Sequence, residues 1–312
     1  MSGAFTRVVR PAILAAARSN RLRHSAEHLP VTRNVVRRFV PGETVDDAIS
    51  AVADIRTSGR LLSIDYLGED VTDAGSAEQT VAAYFRLLDE LANQPVAPDC
   101  VIRPLEVSLK LSALGQALPR DGDKIAYENA YAICERAKNA GAWVTLDAED
   151  HTTAESRLAI VHELRREFDW VGTVLQAYLK RTESDCRDFA ASGARIRLCK
   201  GAYDEPSSVA HRSPREVNES YLRCLRILMA GTSYPMVASH DPGIISGAVD
   251  LVREFGCRVD EFEYQMLYGI RDAEQRRLAA EGNHVRVYVP FGTQWYGYFV
   301  RRLAERAANP TF

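Results

Sequence analysis

Lys110, Arg197 and Lys200 each stand at or just past the end of a short β-rich run. Gathered at one rim, three such cations suit an anionic substrate or a phosphate-bearing cofactor. Asp65, Glu69, Asp147, Glu149, Gln176, Tyr203, His240, Glu263, Gln265 and Tyr288 hold comparable positions in other runs. A lone lysine or aspartate at a strand end is as readily a structural salt bridge. So many ends together favour a site, because opposite charges converging in a cavity are costly unless they pair or hold a ligand. Near the C-terminus Tyr298, Arg301, Arg302 and Glu305 fall at relative positions 0, 3, 4 and 7, on one face of a helix. Two adjacent arginines on an ordinary helix are solvated. The spacing alone therefore leaves open what this face does.

Other chemistries fit less well. Asp147, Glu149, His240 and Asp241 could bind a divalent cation, but His240 is the only histidine at an expected strand end, since His151 lies beyond its strand. Metallohydrolase barrels collect several histidines, so no metal site is expected. No G-x-S-x-G elbow or Cys-His nucleophile is evident.

The elements that must position these groups alternate. β-rich runs occur at 61–69, 105–112, 143–149, 173–178, 195–203, 235–240, 258–265 and 285–290, separated by helical patterns of Ala, Leu, Arg and Glu. YENAYAICERAKNAG closes on Gly141, and SPREVNESYLRCLRILMAG opens on Ser-Pro and closes on Gly231, both read as C-caps. Eight strands in such alternation imply an α/β chain folded as a (β/α)₈ TIM-type barrel, whose chemistry sits at the C-terminal strand ends. An open doubly wound sheet is the alternative, but no G-x-G-x-x-G follows any run. Residues 1–58 are expected to form an N-terminal helical arm packed on the barrel, and 59–312 the catalytic barrel, with no linker or internal repeat between.

The 312 residues, 46% hydrophobic and 26% charged, are enough for a sizeable core. A net charge of −3 gives no electrostatic case for nucleic acid. The six cysteines have no C-x-x-C or metal spacing, and read as reduced thiols of a cytoplasmic protein. Residues 1–42 hold eight arginines and one acid, Glu27, for a local charge of +7 against −10 elsewhere. Arginine-rich, acid-poor composition also suits a transit peptide, but Pro30 and Pro41 interrupt it and PGETVDDAISAV reads as a capped helix start. A structural arm is the preferred reading, and an anionic surface, such as the inner face of the plasma membrane, could attract it. No stretch approaches the ~18 apolar residues of a spanning helix.

FVPGET, SLKLSALG, TLDAE, LQAYLKRT, RLCKGAY, FEYQMLYG and VYVPFGT with YFVRRLAE occur in this order from residue 39 to the last helix. In these motifs the chain resembles the proline dehydrogenase family, whose catalytic barrel also occurs inside bifunctional proline utilisation proteins. The resemblance implies a distorted (β/α)₈ barrel binding FAD, with the last helix over the barrel mouth. It implies oxidation of L-proline to Δ1-pyrroline-5-carboxylate by hydride transfer to FAD, with a membrane quinone as electron acceptor. This is the first step of proline degradation to glutamate. Nothing resembles the aldehyde dehydrogenase module of the bifunctional relatives, so a separate enzyme would follow.

By similarity, Arg301 and Arg302 would clamp the substrate carboxylate, with Lys110 as a third cation and Glu305 holding the arginines' remaining donors. Asp147 looks like the catalytic aspartate, orienting Lys110 or an arginine, and Arg197 like the arginine that stabilises the reduced flavin. Tyr203, Leu267, Tyr288 and Tyr298 would wall the substrate pocket. Ala148, Gln176, Arg197, Lys200, Gly201, Ala202, Ser239 and His240 would contact FAD, and Glu69 would pair with the first arginine as a gate. Two departures stand out: Asp204 follows KGAY where the family often has an aromatic, and Ser239 replaces a frequent threonine. The rival readings are a methylenetetrahydrofolate reductase-like flavin barrel, the same chemistry on hydroxyproline, and a flavin-free proline-binding barrel. The hydroxyl of Tyr288 would crowd a substituted ring and argues for proline itself.

Overall fold

The computed structural model describes residues 36–94 and 101–308. The expectations for the basic arm fall mostly outside them. Within the described residues, α1 (Val45–Arg56) opens on a capping box in which Thr44 and Asp47 bond each other's backbone N–H. Its Ala48, Ala51, Val52 and Ile55 are buried in the main core.

Eight parallel strands close into one barrel in sequence order: β1 (Leu61–Tyr66), β2 (Leu105–Leu109), β3 (Trp143–Leu146), β4 (Gly172–Gln176), β5 (Arg195–Cys199), β6 (Tyr234–Ala238), β7 (Glu263–Leu267) and β8 (Val285–Phe291). Closure is made by β1 on β8, in register from Leu61 opposite Arg286 to Tyr66 opposite Phe291. The crossover helices are α2 (Ala74–Ala92), α3 (Gly122–Asn139), α4 (Ala154–Leu164), α5 (Thr182–Ala190), α6 (Pro214–Met229), α7 (Pro242–Phe255) and α8 (Asp272–Ala280). They cover the barrel with Leu, Ile, Val and Ala.

Several elements depart from the sequence expectation. The strands end earlier, leaving SALG, DAE, KGAY and the Ser239–His240 pair as the loops that follow. The run at 258–265 is mostly a turn, in which the Arg258 N–H donates to Glu261, and β7 begins only at Glu263. Gly141 has the left-handed φ expected after a helix, +66°. Gly231 does not act that way: a Cβ there would lie 2.0 Å from the Ala190 carbonyl oxygen, so it is close approach that requires glycine.

The last helix, α9 (Trp295–Ala308), is anchored by an aromatic cluster rather than by the barrel wall. Trp295, Tyr296, Tyr298, Phe299 and Val300 pack with Val36, Phe39, Val40, Leu67 and Ile270, and Leu267 and Tyr288 border the cluster. Phe39 and Phe299 meet at 5.9 Å between ring centroids. These contacts set α9 across the C-terminal ends of β7, β8 and β1.

Candidate active site

The inward-facing residues of five of the eight strands are polar where such barrels are ordinarily filled by branched aliphatics. Every second residue is involved: Ser63 and Asp65, Glu106 and Ser108, Arg195 and Arg197, Glu263 and Gln265, Arg286 and Tyr288. The apolar alternates, such as Leu62, Ile64, Leu105 and Val107, face the helices and belong to the main core. At the floor, the fully buried Arg286 pairs with Glu263 through Nε and Nη2 at 2.7 and 2.9 Å. Glu106 accepts from both Arg195 and Arg197, and these arginines together with Arg286 hold its carboxyl far below the usual range despite burial. The Arg195 guanidinium also covers the Trp143 ring at 3.8 Å.

One layer higher, all five N–H groups of Arg197 are used. They reach Gln265, Ser108 at 2.7 Å, Asp147 at 2.6 Å, Ser63 at 2.9 Å and Glu106 at 2.6 Å. Asp147 also accepts the Tyr288 hydroxyl at 2.8 Å and the Ser108 hydroxyl at 2.8 Å, and lies 3.7 Å from Lys110 Nζ. Lys110 donates to Asp65 at 2.6 Å. Burial alone would lower its pKa, but Asp65 and Asp147 carry it above the ordinary lysine value. Burial raises Asp65 in turn. Four acids (Asp65, Glu106, Asp147, Glu263) thus interlock with four cations (Lys110, Arg195, Arg197, Arg286).

Above this layer lies a cavity of about 760 Å³. Every site residue expected from the sequence lines it except Glu69: Lys110, Asp147, Ala148, Gln176, Arg197, Lys200, Gly201, Ala202, Tyr203, Ser239, His240, Leu267, Tyr288, Tyr298, Arg301, Arg302 and Glu305. Glu69 stands at the mouth and takes both Nη atoms of Arg301, one at 3.0 Å, so α9 is clasped to the loop after β1. Glu305 pairs with Arg302 at 2.9 Å, so of the two arginines it is Arg302 that it holds. Arg302 also covers the Tyr298 ring at 5.1 Å. Tyr298 Oη and Arg302 Nε are buried without a hydrogen-bond partner. Two unspent donors in a cavity wall are costly unless a ligand takes them.

The opposite wall comes from the loops after β5 and β6. Lys200 pairs with Asp241 at 2.5 Å. Gly201 has φ +106°, and a Cβ there would fall 2.3 Å from the Tyr178 ring. The glycine therefore lets the backbone run flat against that ring in the cavity wall. The His240 Nε2 accepts the Leu267 N–H at 2.9 Å, which fixes a neutral ring. Burial, with Arg302 and Arg271 nearby, pushes its pKa down to about 3. The unfolded chain would take up this proton near pH 6.5, well before the native state does. Stability is thus full above about pH 6.5 and falls towards pH 3, by about 1.4 kcal/mol per pH unit for this group. His240→Gln should flatten that part of the acid limb of a thermal-midpoint series in the flavin-free protein; an unaltered limb would remove the assignment.

Asp65 and Gln265 appear in the sequence as polar strand ends without a role, and Ser63, Ser108 and Glu106 do not stand out at all. The signal that finds them is the period-2 polar alternation inside otherwise apolar strands.

The chain is similar to known proteins along most of its length. A family profile described as Proline dehydrogenase matches residues 48–312. Proline dehydrogenase 1 of Bacillus subtilis strain 168 is 37% identical over 281 residues, covering 90% of each chain. Proline dehydrogenase of Deinococcus radiodurans is 38% identical over 281 residues, covering 89% of this chain and 88% of its own. Among solved structures, proline utilization A of Bdellovibrio bacteriovorus inactivated by N-propargylglycine shares the fold, with a TM-score of 0.82 at 24% identity. That match covers 90% of this chain but only 33% of the larger one.

Proposed function

The chain belongs to the proline dehydrogenase family, and from that premise we propose that it oxidises L-proline to Δ1-pyrroline-5-carboxylate, with FAD as cofactor and a membrane quinone as final acceptor. The observation that carries this reading is the clasped helix α9, which sets Arg301 and Arg302 in the wall of the same cavity as Lys110, Asp147 and the Gly201 cradle.

FAD, when bound, supplies the hydride acceptor. Gln176, Lys200, Ser239, His240 and the backbone of Ala148, Gly201 and Ala202 would hold it, and Arg197, whose N–H groups are all spent within the barrel, would act on it by its charge at the cavity floor. The donor set fits: cations and amides for an anionic, heteroaromatic ligand, and a glycine where a side chain would intrude. Arg301, Arg302 and Lys110 would bind the proline carboxylate, which can satisfy the idle Arg302 Nε. A planar fork fixes the ring's orientation as well as its charge. Oxidation next to nitrogen needs a neutral amine, and taking the amine out of water into the pocket disfavours its ammonium form. Tyr203, Leu267, Tyr288 and Tyr298 would exclude water around the ring. Asp147 keeps Lys110, Arg197 and Tyr288 in register, and Glu69 with Arg301 forms the gate.

The division into an arm of 1–58 and a barrel of 59–312 stands as part of the same proposal. So does a cytoplasmic location with peripheral membrane contact; no described helix is long and apolar enough to cross a membrane. Anaerobic mixing of the flavin-loaded protein with L-proline tests the function: the flavin absorbance should bleach. Bleaching by a reduced nicotinamide and not by proline would overturn the reading, as would a protein that binds proline but no flavin.

A further inference from the structure

We propose that Ser112, held by Glu149, is a positioning residue for the gate: it fixes the loop after β1 so that Glu69 meets Arg301. This deepens the proposed function and rests on it.

The geometry is that of a fully used relay. Both acceptors of Ser112 serve the gate loop, since its hydroxyl oxygen takes the Asp70 N–H at 3.0 Å and its carbonyl takes the Val71 N–H at 3.1 Å. Both of its donors serve one carboxylate, its N–H reaching Glu149 Oε1 at 3.2 Å and its hydroxyl reaching Oε2. Ser112 and Glu149 are each nine-tenths or more buried, and neither is among the residues lining the cavity. They therefore do not touch the ligand.

The loop they hold needs fixing. Asp70 has φ +53°, a left-handed conformation that costs a non-glycine residue free energy, though aspartate less than most. Leu67 is tied on the other side, its N–H reaching the Phe291 carbonyl at 2.7 Å. Glu69 thus sits between two anchors, one on β8 and one on Ser112, and its carboxylate points at the Arg301 fork. Removing the Ser112 hydroxyl takes away the acceptor of the Asp70 N–H and one of the two ties to Glu149, while the Ser112 carbonyl keeps the Val71 N–H. The loop is loosened next to Glu69 rather than released.

The decisive measurement is a double-mutant cycle on the flavin-loaded enzyme with L-proline as substrate. Ser112→Ala should raise KM about tenfold, with kcat within about twofold and flavin retained. In a Glu69→Gln background the same substitution should change KM by less than about twofold, because the gate it serves is already broken. Equal factors in both backgrounds would make Ser112 merely structural and overturn the proposal, as would an unchanged KM in the single variant. Amide hydrogen exchange reads the relay independently of turnover: Ser112→Ala should accelerate it at Asp70, whose acceptor is the lost hydroxyl, and less at Val71, whose acceptor is the retained carbonyl. Faster exchange in Ser112→Ala, together with wild-type protein that does not oxidise proline, would sink the function and spare the relay. Unchanged exchange would sink the relay alone. Should Ser112→Ala not fold, Glu149→Gln carries the same test, with the same signs and smaller factors.

Discussion

Arg302→Lys raises KM for L-proline about a hundredfold while leaving FAD bound, a loss of roughly 2.7 kcal/mol in binding. Arg302 is suited to a carboxylate because only part of its fork is committed. One Nη serves Glu305, the guanidinium lies over Tyr298, and the buried Nε has no partner. Lysine keeps the charge but neither the planar pair of donors nor the stacking on Tyr298. The flavin should stay because Gln176 ends β4 and Lys200 and Gly201 follow β5, none of them carried by α9. Steady-state kinetics with parallel flavin absorbance measures both halves, and a KM that does not move would place the carboxylate elsewhere.

The second large effect belongs to the barrel centre. Asp147→Asn lowers kcat by about a hundredfold or more, because one carboxylate serves Arg197, Tyr288, Ser108 and Lys110 together. The asparagine is nearly isosteric but can return neither the charge nor two full acceptor oxygens. Arg197 and Lys110 then lose a neutralising partner, and removing one member of a buried pair ordinarily destabilises by about 3–5 kcal/mol. Rapid-reaction bleaching with proline measures the chemical step, and thermal melting measures the structural cost. A bleaching rate within about threefold of the parent would sink the role given to Asp147, whatever the melting showed.

Much of this architecture was legible because the strands are short, apolar on one side and separated by capped helices. The capping boxes at Thr44 and Ser213 are local, within four residues, and sequence displays such features directly. What was not legible is non-local. Glu263 looks like a rim residue until β7 is known to start there, which sends it to the floor beside Arg286. Arg197 draws its partners from β1, β2, β7 and the loop after β3, between 50 and 134 positions away, and only closure of the barrel reveals that its fork is already full. Glu149 stood in a quoted motif, yet its tie to the gate loop runs through Ser112, which has no chemistry of its own to advertise.

The charge-filled barrel interior also separates two electrostatic regimes. Mobile ions in solution weaken exposed pairs such as Arg226–Glu254, whose side chains are about half accessible. The lattice around Glu106, Arg197 and Asp147 is far less accessible to counterions, so its field at the cavity floor changes much less with ionic strength. The Arg301–Glu69 clasp lies nearer the surface, with side chains 16% and 25% accessible. Ionic strength therefore acts on how the substrate enters more than on the electrostatic ground beneath it.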